Sequence, residues 1–174
     1  ETPVNGYYCI GDANGRCLLA HAASAQGVIA VENIFGAARD FNAPMPNCVY
    51  TFPEIGAIGM TTEEARAKEI PISTGVFPIG HLGKAIAVGD TEGFVKIIRH
   101  RETNQLLGAH IIGHNATECI AAAGALLHQK VSTHEVAKVV FAHPTISEAL
   151  KEAAEDAMNI ALHLPPRKIT RVVV

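Results

Sequence analysis

A histidine and a glutamate five residues apart are the strongest candidates for chemistry in this sequence. They lie in the segment Ala142-His143-Pro144-Thr145-Ile146-Ser147-Glu148. Because a residue before proline is held in extended backbone, His143 should project from a constrained chain just ahead of a helix. A carboxylate at Glu148, on the first turn of that helix, could bond the imidazole, fix its tautomer and stabilise its protonated form. This arrangement is typical of a base that activates a nucleophile.

The same spacing has a purely structural explanation. Thr145 and Glu148 stand three residues apart, as in a capping box, where the two side chains satisfy backbone N–H groups at the start of a helix. On the residues alone, capping is the simpler explanation of Glu148. The two roles are also compatible with each other.

Asp12 is the second candidate for a functional residue. It follows Gly11 at the end of the apolar run 7–10 and precedes a predicted helix. An aspartate there can accept hydrogen bonds from the hydroxyls of a polyol, and the free N–H groups of the helix start can bind an anionic group. The plain alternative, an Asp turn beside an ordinary buried helix, is favoured on these residues alone.

The sequence indicates no metal site and no local redox pair. His110 and His114 would share one face of a strand, since side chains repeat every two residues. Gly113 should end that strand, however, and no cysteine or carboxylate stands at ligand spacing. The cysteines have no CxxC spacing, so we expect reduced, mostly buried thiols in a cytoplasmic protein. They are Cys9, Cys17, Cys48 and Cys119.

Composition excludes several classes of protein. The chain has 174 residues, 48% of them hydrophobic, and a formal net charge of −3. This weakly acidic balance argues against binding to nucleic acid or to a membrane surface, because both select basic patches. No apolar run reaches the ~18–20 residues of a membrane-spanning helix. The first residues lack a start Met and the pattern of a signal peptide, so we expect a piece of a longer protein.

The elements that must position Asp12 are a strand and a helix. The apolar run 7–10 predicts a buried strand, and the pattern over 19–35 predicts a largely buried helix that ends at Gly36. The Pro-rich segment 42–47 is the best candidate for a domain boundary.

Beyond this boundary the pattern predicts strands first and helices last. The strands are expected at 49–52, 57–59 and 72–77, and in a hairpin of 94–98 with 106–112. The helices are expected at 62–68 after a Thr61–Glu64 capping box, from Asn115 as cap to Gln129, at 133–138, and at 145–162 before Pro165-Pro166. The fold class is therefore α+β, a mostly antiparallel sheet with packed helices.

Five motifs, taken in this order, resemble one known family. They are Tyr8-Cys9-Ile10-Gly11-Asp12, then Leu19-Ala20-His21-Ala22-Ala23 with Gly27, then Val49-Tyr50-Thr51-Phe52-Pro53-Glu54-Ile55-Gly56, then Leu107-Gly108-Ala109-His110-Ile111-Ile112-Gly113, and then the 142–148 segment. Each motif is weak alone, but their order is specific. The sequence resembles the C-terminal part of the flavin-dependent pyridine nucleotide–disulfide oxidoreductases, and within that family it is most similar to the dihydrolipoamide dehydrogenase branch.

The resemblance implies two domains. Residues 1–45 match the last strand and helix of the FAD-binding domain. In that match, Asp12 binds the ribityl chain of FAD, and the backbone N–H of Ala20 faces the pyrimidine edge of the flavin. Residues 46–170 match the interface domain, an antiparallel sheet with helices that forms the homodimer, and 171–174 are a tail.

The resemblance also implies a reaction. His143 matches the catalytic base that such enzymes send across the dimer into the partner's active site, Glu148 matches its carboxylate partner, and the His143–Pro144 bond is expected to be cis. Dihydrolipoamide would be oxidised, with electrons passing through a disulfide and FAD to NAD. Lipoyl domains of 2-oxo acid dehydrogenase complexes are the implied partners. The chain alone should be inactive, because the dinucleotide-binding loops and the redox cysteine pair are absent from it.

Some departures leave alternatives open. Phe141 stands where many dihydrolipoamide dehydrogenases have a second histidine, which weakens the assignment of the substrate. Glutathione-reductase-like members read differently after His-Pro-Thr, so Ile146-Ser147-Glu148-Ala149 favours the dihydrolipoamide branch, and mercuric reductases end in a cysteine pair, whereas this chain ends in Arg171-Val172-Val173-Val174. The alternatives that stay open are a glutathione- or mercuric-reductase-like enzyme, or a non-catalytic dimerisation module in which Glu148 only caps a helix.

Overall fold

The structure, a computed structural model, describes residues 1–165 and divides into two compact units. The first is Glu1–Met45, and the second begins at Pro46. The predictions made for Pro166, for a domain end at residue 170 and for a tail at 171–174 lie outside the described residues.

The first unit contains a 3₁₀ helix, Gly11–Asn14, and helix α1, Ala20–Ile34. The prediction of a buried strand at 7–10 is wrong, because these residues form no strand and Tyr7 and Ile10 are exposed. A strand is stabilised by hydrogen bonds to a neighbouring strand, and residues 1–45 contain no other strand with which it could pair.

Helix α1 lies where it was predicted, but it is not largely buried. Only Ala22 and Gln26 are buried, and Val28, Val31 and Ile34 in its second half are more than half exposed. This first unit holds a single long helix, so it has no second layer to cover the apolar face. Gly36 follows the end of the helix with φ of +90°, as predicted for a glycine at this position.

The second unit is built on a five-stranded antiparallel sheet with the order β1-β2-β5-β4-β3. Its strands are β1 (Asn47–Val49), β2 (Glu54–Gly59), β3 (Ile72–Pro78), β4 (Gly93–His100) and β5 (Leu106–Gly113). The predicted β4–β5 hairpin is confirmed. Strand β1 ends earlier than predicted, since the chain turns through residues 51–53 and Pro53 has no N–H to give to a ladder.

Five helices accompany the sheet in the described part of the second unit: α2 (Thr62–Ala67), α3 (Gly83–Val88), α4 (Ala116–His128), α5 (Thr133–Lys138) and α6 (Glu148–Ala157). The capping box before α2 is confirmed. Helix α3 and the 3₁₀ helix Ile79–His81 were not predicted, because neither begins with a capping side chain of the kind that marks the starts of α2 and α5. Helix α6 is shorter than the predicted 145–162, and Asn159, in left-handed backbone, follows its end.

The cap of α4 differs from the prediction. Asn115 stands at the N-cap, but its backbone is left-handed and its side chain makes no capping hydrogen bond. Glu54 of β2 caps the helix instead: its Oε2 accepts from the backbone N–H of Thr117 at 3.0 Å and from the Thr117 hydroxyl at 2.7 Å. The backbone hydrogen bond from Thr117, followed by the hydroxyl bond, lowers the pKa of the Glu54 carboxyl.

Helix α6 packs closely onto strands β3 and β4. A Cβ at Gly75 would lie only 1.9 Å from the carbonyl oxygen of Ala153, so glycine is required at this crossing. The carbonyl of Ala157 accepts from the Ser73 hydroxyl at 3.0 Å and from Arg99 Nε at 2.9 Å. These contacts fix α6, and with it Glu148 at the first position of the helix.

Candidate active site

His143 and Glu148, which the sequence singles out, lie in direct contact. Nδ1 of His143 is 2.9 Å from Oε1 of Glu148. The imidazole is 74% exposed and the glutamate side chain only 22% exposed. Glu148 thus engages one ring nitrogen from the partly buried side, and Nε2 is left as the nitrogen available to a reactant.

The second oxygen of Glu148 bonds the backbone. Oε2 accepts from the N–H of Thr145 at 2.9 Å, so Glu148 makes its half of the predicted capping box. The other half is absent, since the Thr145 oxygen accepts no bond from the N–H of Glu148; its hydroxyl proton goes to the carbonyl of Ala142 at 2.7 Å. The N-cap of α6 is Ser147, whose side chain makes no capping bond. Glu148 therefore contacts the His143 ring with one oxygen and caps backbone at the helix start with the other.

The loop that carries His143 is supported on both sides. The His143–Pro144 bond is cis, as the family resemblance implies. Ile146 is buried in the hydrophobic core and anchors the loop after the proline. Gly83, at the start of α3, lies beside the ring, since a Cβ there would be 3.9 Å from Cε1 of His143. The imidazole is thus held by its own loop and lies close to a second element.

Phe141 belongs to the core rather than to the surface of the loop. It is partly buried and packs against the hydrophobic cluster of the second unit. An aromatic ring there contributes packing, whereas a histidine would bring a polar group to the same place.

The 3₁₀ helix that carries Asp12 is fixed by a residue that the sequence reasoning missed. Oε1 of the buried Gln26 accepts from the N–H of Gly11 and from Nδ2 of Asn14, both at 2.8 Å. Gly11 has φ of +67°, and a Cβ there would lie 3.1 Å from Cβ of Ala23. The turn therefore packs tightly on α1, and the Asp12 side chain is exposed. A glutamine in the middle of a mostly apolar helix was the available signal for this contact.

Ala20 is the first residue of α1, and the start of this helix has no side-chain cap. Its first turn also contains no acidic residue. Backbone N–H groups at such a helix start can donate to an acceptor on a ligand. Together with the Asp12 carboxylate, this end of the unit fits a ligand that has hydroxyl groups as well as carbonyl acceptors.

The family of the chain follows from comparison with known proteins. Residues 45–154 match the family model described as the pyridine nucleotide-disulphide oxidoreductase dimerisation domain. The chain belongs to the pyridine nucleotide-disulphide oxidoreductases. The fold agrees, because the chain, whose second unit is an antiparallel sheet with packed helices, resembles LpdA from Mycobacterium tuberculosis with a TM-score of 0.83 and 28% identity. That match covers 88% of this chain and 34% of LpdA.

The chain is also similar to curated proteins from one branch of the pyridine nucleotide-disulphide oxidoreductases, the dihydrolipoyl dehydrogenases. Dihydrolipoyl dehydrogenase from Chlamydia trachomatis is 37% identical over 169 residues, 97% of this chain and 36% of the relative. The enzyme of the same name from Bacillus subtilis is 39% identical over 165 residues, 94% of this chain and 35% of the relative. The chain therefore spans about a third of these relatives. Dihydrolipoyl dehydrogenases and related flavoprotein disulfide reductases use FAD and NAD(H).

The other histidines of this pyridine nucleotide-disulphide oxidoreductase do not form a common site. Strand β5 ends at Gly113 as predicted, and Nδ1 of His114 pairs with Asp90 at 3.3 Å. Burial lowers the pKa of His110, which lies on β5. Among residues 1–165, no group of three or more His, Cys, Asp or Glu could hold a metal ion.

None of the helices within the same residues is long and apolar enough to cross a membrane.

A third histidine–carboxylate pair was not predicted from the sequence. Nδ1 of His163 lies 2.8 Å from Oε1 of Glu152 on α6. Glu155 and Asp156 are buried on the same helix, and burial, followed by the charge of Glu152, raises the pKa of Glu155. Four acidic residues on a helix rich in alanine were the available signal. Glu152 lies on α6 and His163 after its end, so neither residue of this pair belongs to the 142–148 loop.

Proposed function

We propose that this chain forms the dimerisation part of a dihydrolipoamide dehydrogenase and supplies the acid/base pair His143–Glu148. The observation that carries the proposal is the 2.9 Å contact between Nδ1 of His143 and Oε1 of Glu148, with the imidazole 74% exposed. The identity to dihydrolipoyl dehydrogenases over nearly the whole chain supports this branch.

The pair suits the removal of a proton from a thiol. A thiol has a pKa of about 8.5, and the thiolate is the species that attacks a disulfide. His143 accepts the S–H proton on Nε2 while Glu148 holds the proton on Nδ1. The carboxylate keeps the ring in the required tautomer and stabilises the imidazolium that forms. The thiolate then forms a bond to one sulfur of the enzyme's disulfide, and the other sulfur leaves.

The first unit contributes to a flavin site in this proposal. Asp12 would accept hydrogen bonds from the ribityl hydroxyls of FAD, and the N–H of Ala20 would donate to the pyrimidine edge of the flavin. Bound FAD would supply the two-electron chemistry that links the thiols to NAD. The turn fixed by Gln26 and the uncapped helix start fit these roles. Flavin content of a full-length protein carrying this chain, compared with its Asp12→Ala variant, tests them.

Replacing Glu148 by Gln should lower the rate of dihydrolipoamide oxidation by about tenfold to a hundredfold. This factor corresponds to the free energy of one hydrogen bond to a charged group. The Gln oxygen can accept from either Nδ1 of His143 or the N–H of Thr145, but its NH₂ group can accept from neither. The imidazolium also loses its countercharge. Steady-state rates in a full-length protein carrying this chain measure the effect.

Glu135→Gln is the matched control, since Glu135 is exposed and bonds Lys138 on the unrelated helix α5. It should leave the rate unchanged. If Glu148→Gln is also folded and as fast as the parent, Glu148 serves only as a cap. The non-catalytic dimerisation module would then be the better description.

We further propose a two-fold homodimer, supported by the match to a dimerisation domain. Exposed Ala121 and Ala125 on α4 allow a second helix to approach closely. An obligate interface of this kind buries more than about 2,000 Å² in total. Sedimentation equilibrium at tens of micromolar protein should give a dimer, and a monomer alone would contradict the proposal.

The partners in this proposal are lipoyl domains of 2-oxo acid dehydrogenase complexes. A preference for dihydrolipoamide over glutathione as substrate separates this enzyme from a glutathione-reductase-like one. A cytoplasmic location is part of the proposal, because the four cysteines have free thiols and burial raises the pKa of Cys119 to about 11, which makes that thiol unreactive. Cell fractionation tests the location.

A further inference from the structure

We propose that Thr145 is a positioning residue for the His143–Glu148 pair, an inference that rests on the function proposed above. Thr145 makes two hydrogen bonds that close the loop around His143. Its N–H donates to Oε2 of Glu148 at 2.9 Å, and its hydroxyl donates to the carbonyl of Ala142 at 2.7 Å. Because Oε1 of the same carboxylate contacts Nδ1 of His143, the backbone bond orients the carboxylate toward the ring.

The Thr145 hydroxyl donates its proton within the turn that carries His143, and its oxygen also accepts a long bond, 3.5 Å, from the hydroxyl of Ser147 at the N-cap of α6. In a complete capping box, a threonine hydroxyl accepts from the backbone N–H three residues later. Here the hydroxyl instead joins Thr145 to the residue before His143, and Ser147 occupies the N-cap position. The loop is thus tied together on both sides of the His143–Pro144 bond, at Ala142 and at Glu148.

Two consequences follow from these bonds. Any residue at 145 except proline keeps the backbone N–H, so the side chain can be tested separately. Since a carboxylate can only accept hydrogen bonds, a neutral His143 in contact with Glu148 must carry its proton on Nδ1. Without the hydroxyl the loop loosens, and the ring exchanges between its two tautomers. The tautomer of His143 therefore reports positioning directly, whereas a change in stability would not.

The test is ¹⁵N NMR of the histidine side chains in the 174-residue chain at alkaline pH, with the His143 signals assigned by their loss in His143→Gln. The parent should show a protonated Nδ1 and an unprotonated Nε2. In Thr145→Val the difference between the two ¹⁵N shifts should shrink by about half or more, as expected for a ring that exchanges between tautomers. Thr145→Ser, which restores the hydroxyl, should give the parent spectrum.

Thr51→Val is the matched control. The Thr51 hydroxyl also donates to a backbone carbonyl, that of Pro53 at 2.8 Å, in another exposed turn that contains a proline. Its loss should leave the His143 shifts unchanged. If Thr145→Val keeps the parent shifts, or if Thr51→Val alters them equally, Thr145 is not a positioning residue.

A kinetic measurement separates this inference from the proposed function. In a full-length protein carrying the chain, Thr145→Val should lower the rate of dihydrolipoamide oxidation about fivefold, the size of one neutral hydrogen bond, and should leave electron transfer from NADH to a dye unchanged. If the tautomer is lost while the thiol rate stays at the parent value, positioning stands and His143 is not the base. If the thiol rate falls while the tautomer is kept, the positioning inference is overturned.

Discussion

Replacing His143 by Gln is expected to lower the rate of dihydrolipoamide oxidation by about 10²–10⁴-fold in a full-length protein carrying this chain, the usual loss for a positioned base. The glutamine has no group that takes up a proton near neutral pH, so the thiol must ionise without help. The structure supports this role, because the His143 ring is 74% exposed and accessible to a substrate, while the side chain of its partner Glu148 is largely covered. The steady-state rate with dihydrolipoamide measures the loss.

A second assay on His143→Gln distinguishes the loss of a catalytic base from a loss of folding. Electron transfer from NADH to a dye requires no base near a thiol, so it should remain at the parent rate in His143→Gln. His134→Gln, on the exposed face of α5, is the matched histidine control and should affect neither activity. A thiol rate within about threefold of the parent, or an equal fall of both activities, would leave capping as the only role of the loop.

The features that could be predicted from the sequence are those determined by neighbouring residues. The Thr61–Glu64 capping box and the β4–β5 hairpin depend on short separations along the chain, and the structure has both. The contact of His143 with Glu148 spans only five residues, so its spacing already placed the two groups at the start of one helix.

The failures occurred where a distant residue decides the outcome. Asn115 is a common capping residue, yet Glu54, which lies 63 residues before Thr117, caps α4. The run 7–10 has the composition of a strand, but pairing depends on a neighbouring strand that residues 1–45 do not contain. A local sequence pattern indicates which secondary structure a segment prefers, but it does not show whether the distant strand or side chain that the segment needs is present.

The hydroxyl of Thr145 shows a limit of motif reading. The threonine and the glutamate match a capping box, but only the bond from the Thr145 N–H to Glu148 forms, and the hydroxyl donates instead to Ala142 outside the helix. A motif specifies which groups are available, and the backbone conformation decides which of them meet. The proline between Ala142 and Thr145 shapes that turn, and its effect on a hydroxyl could not be read from spacing.

Replacing Gly75 by Ala should destabilise the second unit by about 3 kcal/mol or more, at the upper end of the cost of overpacking a core. The new Cβ would lie 1.9 Å from the carbonyl oxygen of Ala153 and 2.3 Å from the backbone nitrogen of Ala157. Both atoms belong to the backbone of α6, so rotation of a side chain cannot relieve the clash, and the helix must move off β3. Urea unfolding followed by circular dichroism measures the loss, since the chain contains no Trp.

Gly83→Ala is the matched control for this substitution. A Cβ at Gly83 meets nothing closer than Cε1 of His143 at 3.9 Å, an ordinary contact. Both substitutions lower the conformational entropy of the unfolded chain, which stabilises the folded state by about 0.4–1 kcal/mol. The difference between the free energies of unfolding of the two variants therefore measures the clash at β3. Because α6 begins at Glu148, displacement of the helix should also separate Glu148 from His143, and the His143 tautomer should be lost in Gly75→Ala but kept in Gly83→Ala. Equal stability of the two variants would show that α6 does not pack on Gly75 at this distance.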